Sequence, residues 1–134
     1  MNERRDFLKK AAVVTAGAVV ATVLPDRAKA VNCPAGLIYT SKEPGHWAGK
    51  AASHAPEVKR KGQRIIITTL HPMSAAHYIV RHTLVSADGE ILGAKTFFPS
   101  DKKARSSFTV PPGKKPRYAT SFCNKHDFWL TEIK

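Results

Sequence analysis

Residues 77–98 read HYIVRHTLVSADGEILGAKTFF, and this stretch carries the pattern that decides the fold. Two β-branched segments flank Asp88-Gly89, a dipeptide that favours the tight turn of a β-hairpin. Short segments of similar texture occur before and after it: RIIITTL (64–70), SSFTV (106–110), RYATSF (117–122) and FWLTEI (128–133). Six or seven short strands with turns at this spacing predict an all-β fold, an antiparallel β-sandwich.

The segment before these strands has a different composition. Residues 31–62 contain three prolines and four glycines, which predicts mostly loop and turn. No helical periodicity competes with the strand pattern after residue 31.

The first thirty residues have the layout of a twin-arginine export signal. Arg4 and Arg5 precede an uncharged run of fourteen residues, Ala11 to Leu24, shorter than the roughly 20 that a spanning helix needs. Ala28-Lys29-Ala30 resembles a peptidase site. We therefore expect a signal peptide at 1–30, one domain at 31–134, a periplasmic or otherwise exported protein, and no stable membrane insertion after cleavage. An uncleaved N-terminal anchor is the alternative.

The chain is strongly basic, with 22 Lys and Arg, 10 Asp and Glu, and a net charge of +12. The first thirty residues hold six of the basic and three of the acidic residues, which leaves 16 against seven, or +9, in the domain. A basic surface attracts anions. Because an exported protein seldom meets nucleic acid, the charge favours a small anionic substrate or an acidic partner over nucleic acid.

Histidine and cysteine residues cluster at strand ends in the predicted sandwich. His71 follows one strand and His77 begins the next, while Cys123 and His126 form a Cys-x-x-His pair between two aromatic-rich strands. This spacing is a moderately specific signal for a metal site. The alternatives for Cys123 are a buried apolar role or a disulfide with Cys33 in an oxidising compartment.

Three blocks of sequence together resemble the superoxide reductases, also called neelaredoxins and desulfoferrodoxins. They are GHWAGKAASHAP (45–56), HPMSAAHYI (71–79) and CNKHDFW (123–129), within a similarity that covers about residues 43–134. The resemblance implies an immunoglobulin-like sandwich of about seven strands. It also implies one mononuclear iron that reduces superoxide by one electron to hydrogen peroxide.

The same resemblance implies a set of iron ligands. The implied equatorial ligands are His54, His71, His77 and His126, and the implied axial ligand is the Cys123 thiolate. In this scheme His126 binds through Nδ1 and the other three histidines bind through Nε2. His46 and His82 match no ligand position, so we expect packing or surface roles for both, and we expect Trp47 to pack beside the site or under the first loop.

The chain departs from the family pattern at two places. The family often has Glu and Lys before the first ligand, where this chain has Ala52 and Ser53. Lys50 is a candidate catalytic residue that could replace the missing cation, and a solvated loop charge is the alternative. Asp127 stands where the family commonly has Gly, which indicates either an unusual backbone angle, which Asp tolerates, or a charge that tunes the metal.

The resemblance also bears on partners. A rubredoxin-like centre with four cysteines is absent, so the chain is expected to be a one-iron form that needs an unidentified electron-donor protein. Family members commonly form dimers or tetramers. Two other functions stay open: a related exported metal-binding or electron-transfer domain without superoxide reductase activity, and a binding module without metal.

Overall fold

Eight strands and two short helices make up the part of the chain that the computed structural model describes, residues 34–134. The predicted signal segment, the predicted start of the domain and Cys33 lie outside it. The elements are β1 (Ile38–Tyr39), a 3₁₀ helix (Gly45–Lys50), α1 (Ala51–His54), β2 (Glu57–Lys61), β3 (Arg64–Thr69), β4 (Ile79–Ser86), β5 (Ile91–Thr96), β6 (Ala104–Thr109), β7 (Pro116–Cys123) and β8 (Asp127–Glu132). No helix within residues 34–134 has the length and hydropathy of a membrane span.

The strands form two sheets. One has the order β1-β8-β7-β4-β5 and the other has the order β2-β3-β6. Every pair is antiparallel except β1 with β8, which is parallel. The prediction of an all-β, immunoglobulin-like antiparallel sandwich of about seven strands is confirmed, with the two-residue β1 as an addition.

Strand β2, together with the two short helices before it, corrects the expectation that residues 31–62 are mostly loop without helix. It lies at the edge of the smaller sheet and reads EVKRK, of which only Val58 is partly buried. Charged residues are typical of edge strands because they discourage pairing with another chain. They also remove the alternation of apolar and polar residues by which a strand is recognised in sequence.

The core lies between the sheets and explains why the functional side chains meet. Ile65 and Ile67 of β3 pack against Leu84 of β4 and Ala119 of β7, and all four are fully buried. This packing brings the end of β3, the start of β4 and the end of β7 to one end of the sandwich. The start of β8 lies there too, because Cys123 pairs with Asp127.

Candidate metal centre

Five side chains that are far apart in sequence converge at this end of the sandwich. Each stands at or beside the end of an element: His54 ends α1, His71 follows β3, His77 precedes β4, Cys123 ends β7 and His126 precedes β8. All five of the ligands implied by the family resemblance are therefore brought together.

One potential ligand atom from each residue lies within 4.8 Å of every other. His126 Nδ1 is 2.9 Å from both His54 Nε2 and His77 Nε2, and His77 Nε2 is 3.1 Å from His71 Nε2. Cys123 Sγ is 3.2 Å from His77 Nε2 and 3.7 Å from His126 Nδ1. The atoms that converge are Nδ1 of His126 and Nε2 of the other three histidines, the arrangement expected from the resemblance.

Backbone carbonyls fix the orientation of two of the rings. His54 Nδ1 lies 3.1 Å from the carbonyl oxygen of Lys50, and His71 Nδ1 contacts the carbonyl oxygen of Pro72. A carbonyl oxygen only accepts, so Nδ1 donates in both rings and Nε2 keeps its lone pair. Both lone pairs point into the cluster. Two nitrogen atoms that each carry a lone pair cannot hydrogen-bond to each other, so their separation of about 3 Å fits a shared cation between them.

The local environment keeps these imidazoles neutral. Burial is the main cause of a lowered pKa at His54, which falls to about 4, and the neighbouring charge of His71 adds to the effect. Burial is also the main cause of a lowered pKa at His71, His77 and His126. A neutral imidazole has a free lone pair near pH 7, which is the form that binds metal.

Cys123 is buried on the interior side of the cluster. It is 1% exposed and packs with Ile79, Phe97 and Ala104. Cys123 is a free thiol among residues 34–134, and Cys33, its partner in the alternative of a disulfide, lies outside the described residues. His77 and His126 are partly exposed, so solvent reaches the cluster at those two rings.

Two residues that sequence reasoning missed hold the histidine loops in place. Asn124 accepts from the backbone N–H of Tyr78 at 3.0 Å and donates to the carbonyl of Ala76 at 3.1 Å, which joins the Cys123–His126 turn to the segment of His77. Ser74 closes the loop before His77 by accepting from its N–H and donating to its carbonyl. The available signal was a short polar residue within three positions of a ligand, Asn124 after Cys123 and Ser74 between His71 and His77.

Asp127 and Trp47 form a pair beside His126. Asp127 has a φ of 63°, the only positive value at a non-glycine position within residues 34–134, so the expectation of an unusual backbone angle is confirmed. Trp47 Nε1 donates to Asp127 Oδ2 at 3.0 Å. The indole also meets the His126 ring edge-on, with centroids 4.6 Å apart, so Trp47 packs beside the site as expected.

Within residues 34–134, the charged side chains that shift the pKa of the cluster histidines from outside the cluster are two lysines and one aspartate. The charge of Lys50 contributes, after burial, to the lowered pKa of His71, His77 and His126, and Lys125 acts in the same way on the last two. Asp127 opposes them at His126. The cluster itself contains no carboxylate. Ser53, the residue directly before His54, has its Oγ 2.8 Å from His54 Nδ1.

The two remaining histidines lie outside the cluster, as expected. His46 is exposed, and its Nδ1 lies 3.3 Å from the Tyr39 hydroxyl. His82 is fully buried in the core between Thr69 Oγ1 and Ser106 Oγ, each 2.9 Å away.

Comparison with known proteins places this site in a family. The family model described as Desulfoferrodoxin matches residues 47–132, which include all five residues of the cluster. The chain belongs to the desulfoferrodoxin family. A search of curated proteins finds no match.

Several solved structures of superoxide reductases are similar to this family member. The neelaredoxin from Ignicoccus hospitalis is 29% identical, with a TM-score of 0.59 over 73% of this chain and 94% of that one. The enzyme from Giardia intestinalis is 26% identical, with a TM-score of 0.56 over 61% and 97%. The enzyme from Treponema pallidum is 26% identical, with a TM-score of 0.54 over 62% and 67%. Four histidines and a cysteine in a desulfoferrodoxin fold fit a single mononuclear iron.

Proposed function

We propose that this protein is a superoxide reductase that converts superoxide to hydrogen peroxide by transfer of one electron, with two protons taken up from solvent. The iron is held by His54, His71, His77, His126 and Cys123. One observation carries the proposal: five atoms of this donor type lie within 4.8 Å of one another in a member of the desulfoferrodoxin family. The superoxide reductases of similar structure support the choice of substrate.

The donor set suits the reaction. Bound iron would supply the single electron that superoxide accepts, and a thiolate ligand increases the electron density at the metal. The chain's own part is to hold neutral imidazoles at the metal and to attract the substrate. Lys50 and Lys125 serve the second purpose, because their charges act on His77 and His126, the two ligand histidines that are partly exposed.

Two further elements of the proposal rest on the sequence. The layout of residues 1–30 supports export by the twin-arginine route, which is tested by replacing Arg4 and Arg5 with Lys and following the mature chain in the periplasmic fraction. A separate electron-donor protein would be needed, because the reduction of each superoxide consumes one electron and two protons.

The stoichiometry of the reaction tests the proposed activity. With a reductant present, the iron-loaded protein should form one hydrogen peroxide for each superoxide that it removes. Dismutation would form one peroxide for every two, and an electron-transfer or metal-carrying domain would not increase superoxide removal. Cys123→Ser, which replaces the sulfur at nearly constant volume, is the matched control and should remove most of the activity while preserving the β-sheet circular dichroism.

A further inference from the structure

The end of the sandwich opposite the metal cluster carries a concentration of positive charge. The hairpin between β2 and β3 and the loop between β6 and β7 meet there, joined by the N–H of Val110 donating to the Gln63 carbonyl at 2.8 Å. Strand β7 runs from this end to Cys123 over eight residues, so the two ends are about 23 Å apart. Seven basic residues lie at this end: Arg60, Lys61, Arg64, Lys114, Lys115, Arg117 and Lys134.

A concave pocket of about 420 Å³ lies among these residues. Five basic side chains line it, and the other three lining residues are apolar. The lining residues are Arg60, Ala87, Lys114, Lys115, Pro116, Arg117, Ile133 and Lys134. No Asp or Glu is among them. The volume lies in the range of small-molecule sites.

The positive charge of the pocket is only partly compensated. Lys114 pairs with Glu90 and Arg117 pairs with Glu132. Arg60 and Lys115 form no salt bridge within residues 34–134, and Arg60 uses its Nε–H on the Gly62 carbonyl at 3.1 Å, which leaves its terminal nitrogens for a ligand. Like charges that converge on a concavity and are only partly compensated repel one another. A multiply charged anion would remove that repulsion.

We propose that this pocket binds a soluble, multiply charged phosphate compound, a second site separate from the metal centre. Arginine and lysine donors match phosphate oxygens, with arginine able to bind two of them at once. The lining contains no aromatic side chain on which a nucleic-acid base could stack. A concave pocket can enclose a compact anion, whereas it fits a flat membrane surface poorly. The proposal is independent of the superoxide activity.

Binding of tripolyphosphate to the iron-loaded protein, measured by calorimetry at physiological ionic strength, tests the proposal. We expect tripolyphosphate to bind roughly tenfold or more tightly than monophosphate, because it can contact several cations at once. The double variant Arg60→Gln, Lys115→Gln should weaken binding roughly tenfold or more. Both residues are exposed, so the variant should fold, and its superoxide activity should equal that of the wild type.

The matched control is Lys102→Gln, Lys103→Gln, which removes the same charge from an exposed loop at the metal end. This variant should bind tripolyphosphate like the wild type. Equal weakening in both double variants would show that only net charge matters and would overturn the proposal. Failure of tripolyphosphate to bind would also overturn it. Pocket-dependent binding to phosphatidylglycerol vesicles, without tripolyphosphate binding, would replace it with a membrane surface.

Discussion

Asp127 shows how one residue can serve both backbone and site. Its left-handed conformation costs most residues about 1 kcal/mol or more, and Asp is among the few that adopt it. Its carboxylate accepts from Trp47, whose indole contacts the ring of His126. Of the two explanations that the sequence left open, the unusual backbone angle is observed, and tuning of the metal by the carboxylate stays a prediction.

Substitution of Asp127 separates the two contributions. Asp127→Ala should lower the free energy of unfolding by about 2 kcal/mol, through the left-handed angle and the lost hydrogen bond. Asp127→Asn should remain within about 0.5 kcal/mol of wild type, because Asn adopts the same angle and its amide oxygen accepts from Trp47. Urea unfolding of each variant in one metal state gives the comparison. Equal destabilisation by Ala and Asn would contradict it.

Residue types and their spacing predicted part of the metal site, but they did not predict which distant residues meet there. The Cys-x-x-His spacing indicated that Cys123 and His126 could share an ion, since they lie in one turn. His54 is 69 positions before Cys123, and no spacing rule connects them. Only the family resemblance joined His54 to the others, because their meeting depends on how α1 and β7 pack.

At the scale of elements, a polar network joins the two sheets. His82 of β4 lies between Thr69 of β3 and Ser106 of β6, and Thr69 also donates to Ser121 of β7 at 2.9 Å. Because β3 and β7 lead to His71 and Cys123, this network connects the strands that carry two of the ligands. Burial, and to a smaller extent Lys95, lowers the pKa of His82 to about 3.

This pKa makes the stability of the sandwich depend on pH. The unfolded chain binds a proton at His82 below about pH 6.5, whereas the folded chain binds it only near pH 3. The contribution of the neutral His82 ring to the free energy of unfolding is therefore complete above pH 6.5 and is lost as the pH falls. Between pH 7 and pH 5 it should decrease by about 2 kcal/mol.

Urea unfolding of the metal-free protein at several pH values measures this effect. Glutamine does not titrate in this range. The free energy of unfolding of His82→Gln should therefore fall between pH 7 and pH 5 by about 2 kcal/mol less than that of the wild type. NMR titration of the His82 ring in the folded wild type is an independent check. A ring that gains its proton near pH 6.5 would contradict the account.

Strand prediction succeeded where residues of a strand are buried, whereas β5, which has no buried residue, was recognised from the Asp88-Gly89 turn before it. β3 and β4 have β-branched residues because both pack into the core, and that pattern is visible in sequence. The edge strand β2 has almost no buried face and left no such signal. The same limit applies to β1, whose two residues are ordered by pairing with β8.

At the scale of the whole molecule, net charge and local charge have different roles. The sequence showed a strongly basic domain and led us to expect that its charge attracts superoxide. In the structure, seven of the basic residues lie at the end opposite the cluster, about 23 Å away, where salt screens them. Attraction of the substrate therefore depends on the few cations near the cluster.

Lys50 provides the test of this view. Lys50→Ala should lower the second-order rate of superoxide reduction about threefold to tenfold at low ionic strength and should weaken its salt dependence. Lys115→Ala removes the same charge from the far end and should leave the rate unchanged. Rates measured by pulse radiolysis over a range of salt concentrations give both values. Equal rates for Lys50→Ala and wild type would exclude Lys50 from the reaction.

The proposed reaction depends on one iron held by four imidazoles and one thiolate. X-ray absorption at the iron edge of the purified protein tests it most directly. We predict one sulfur and four imidazole nitrogens around the iron, with the sulfur lost in Cys123→Ser. A first shell of oxygen and nitrogen without sulfur, unchanged by that substitution, would contradict the account.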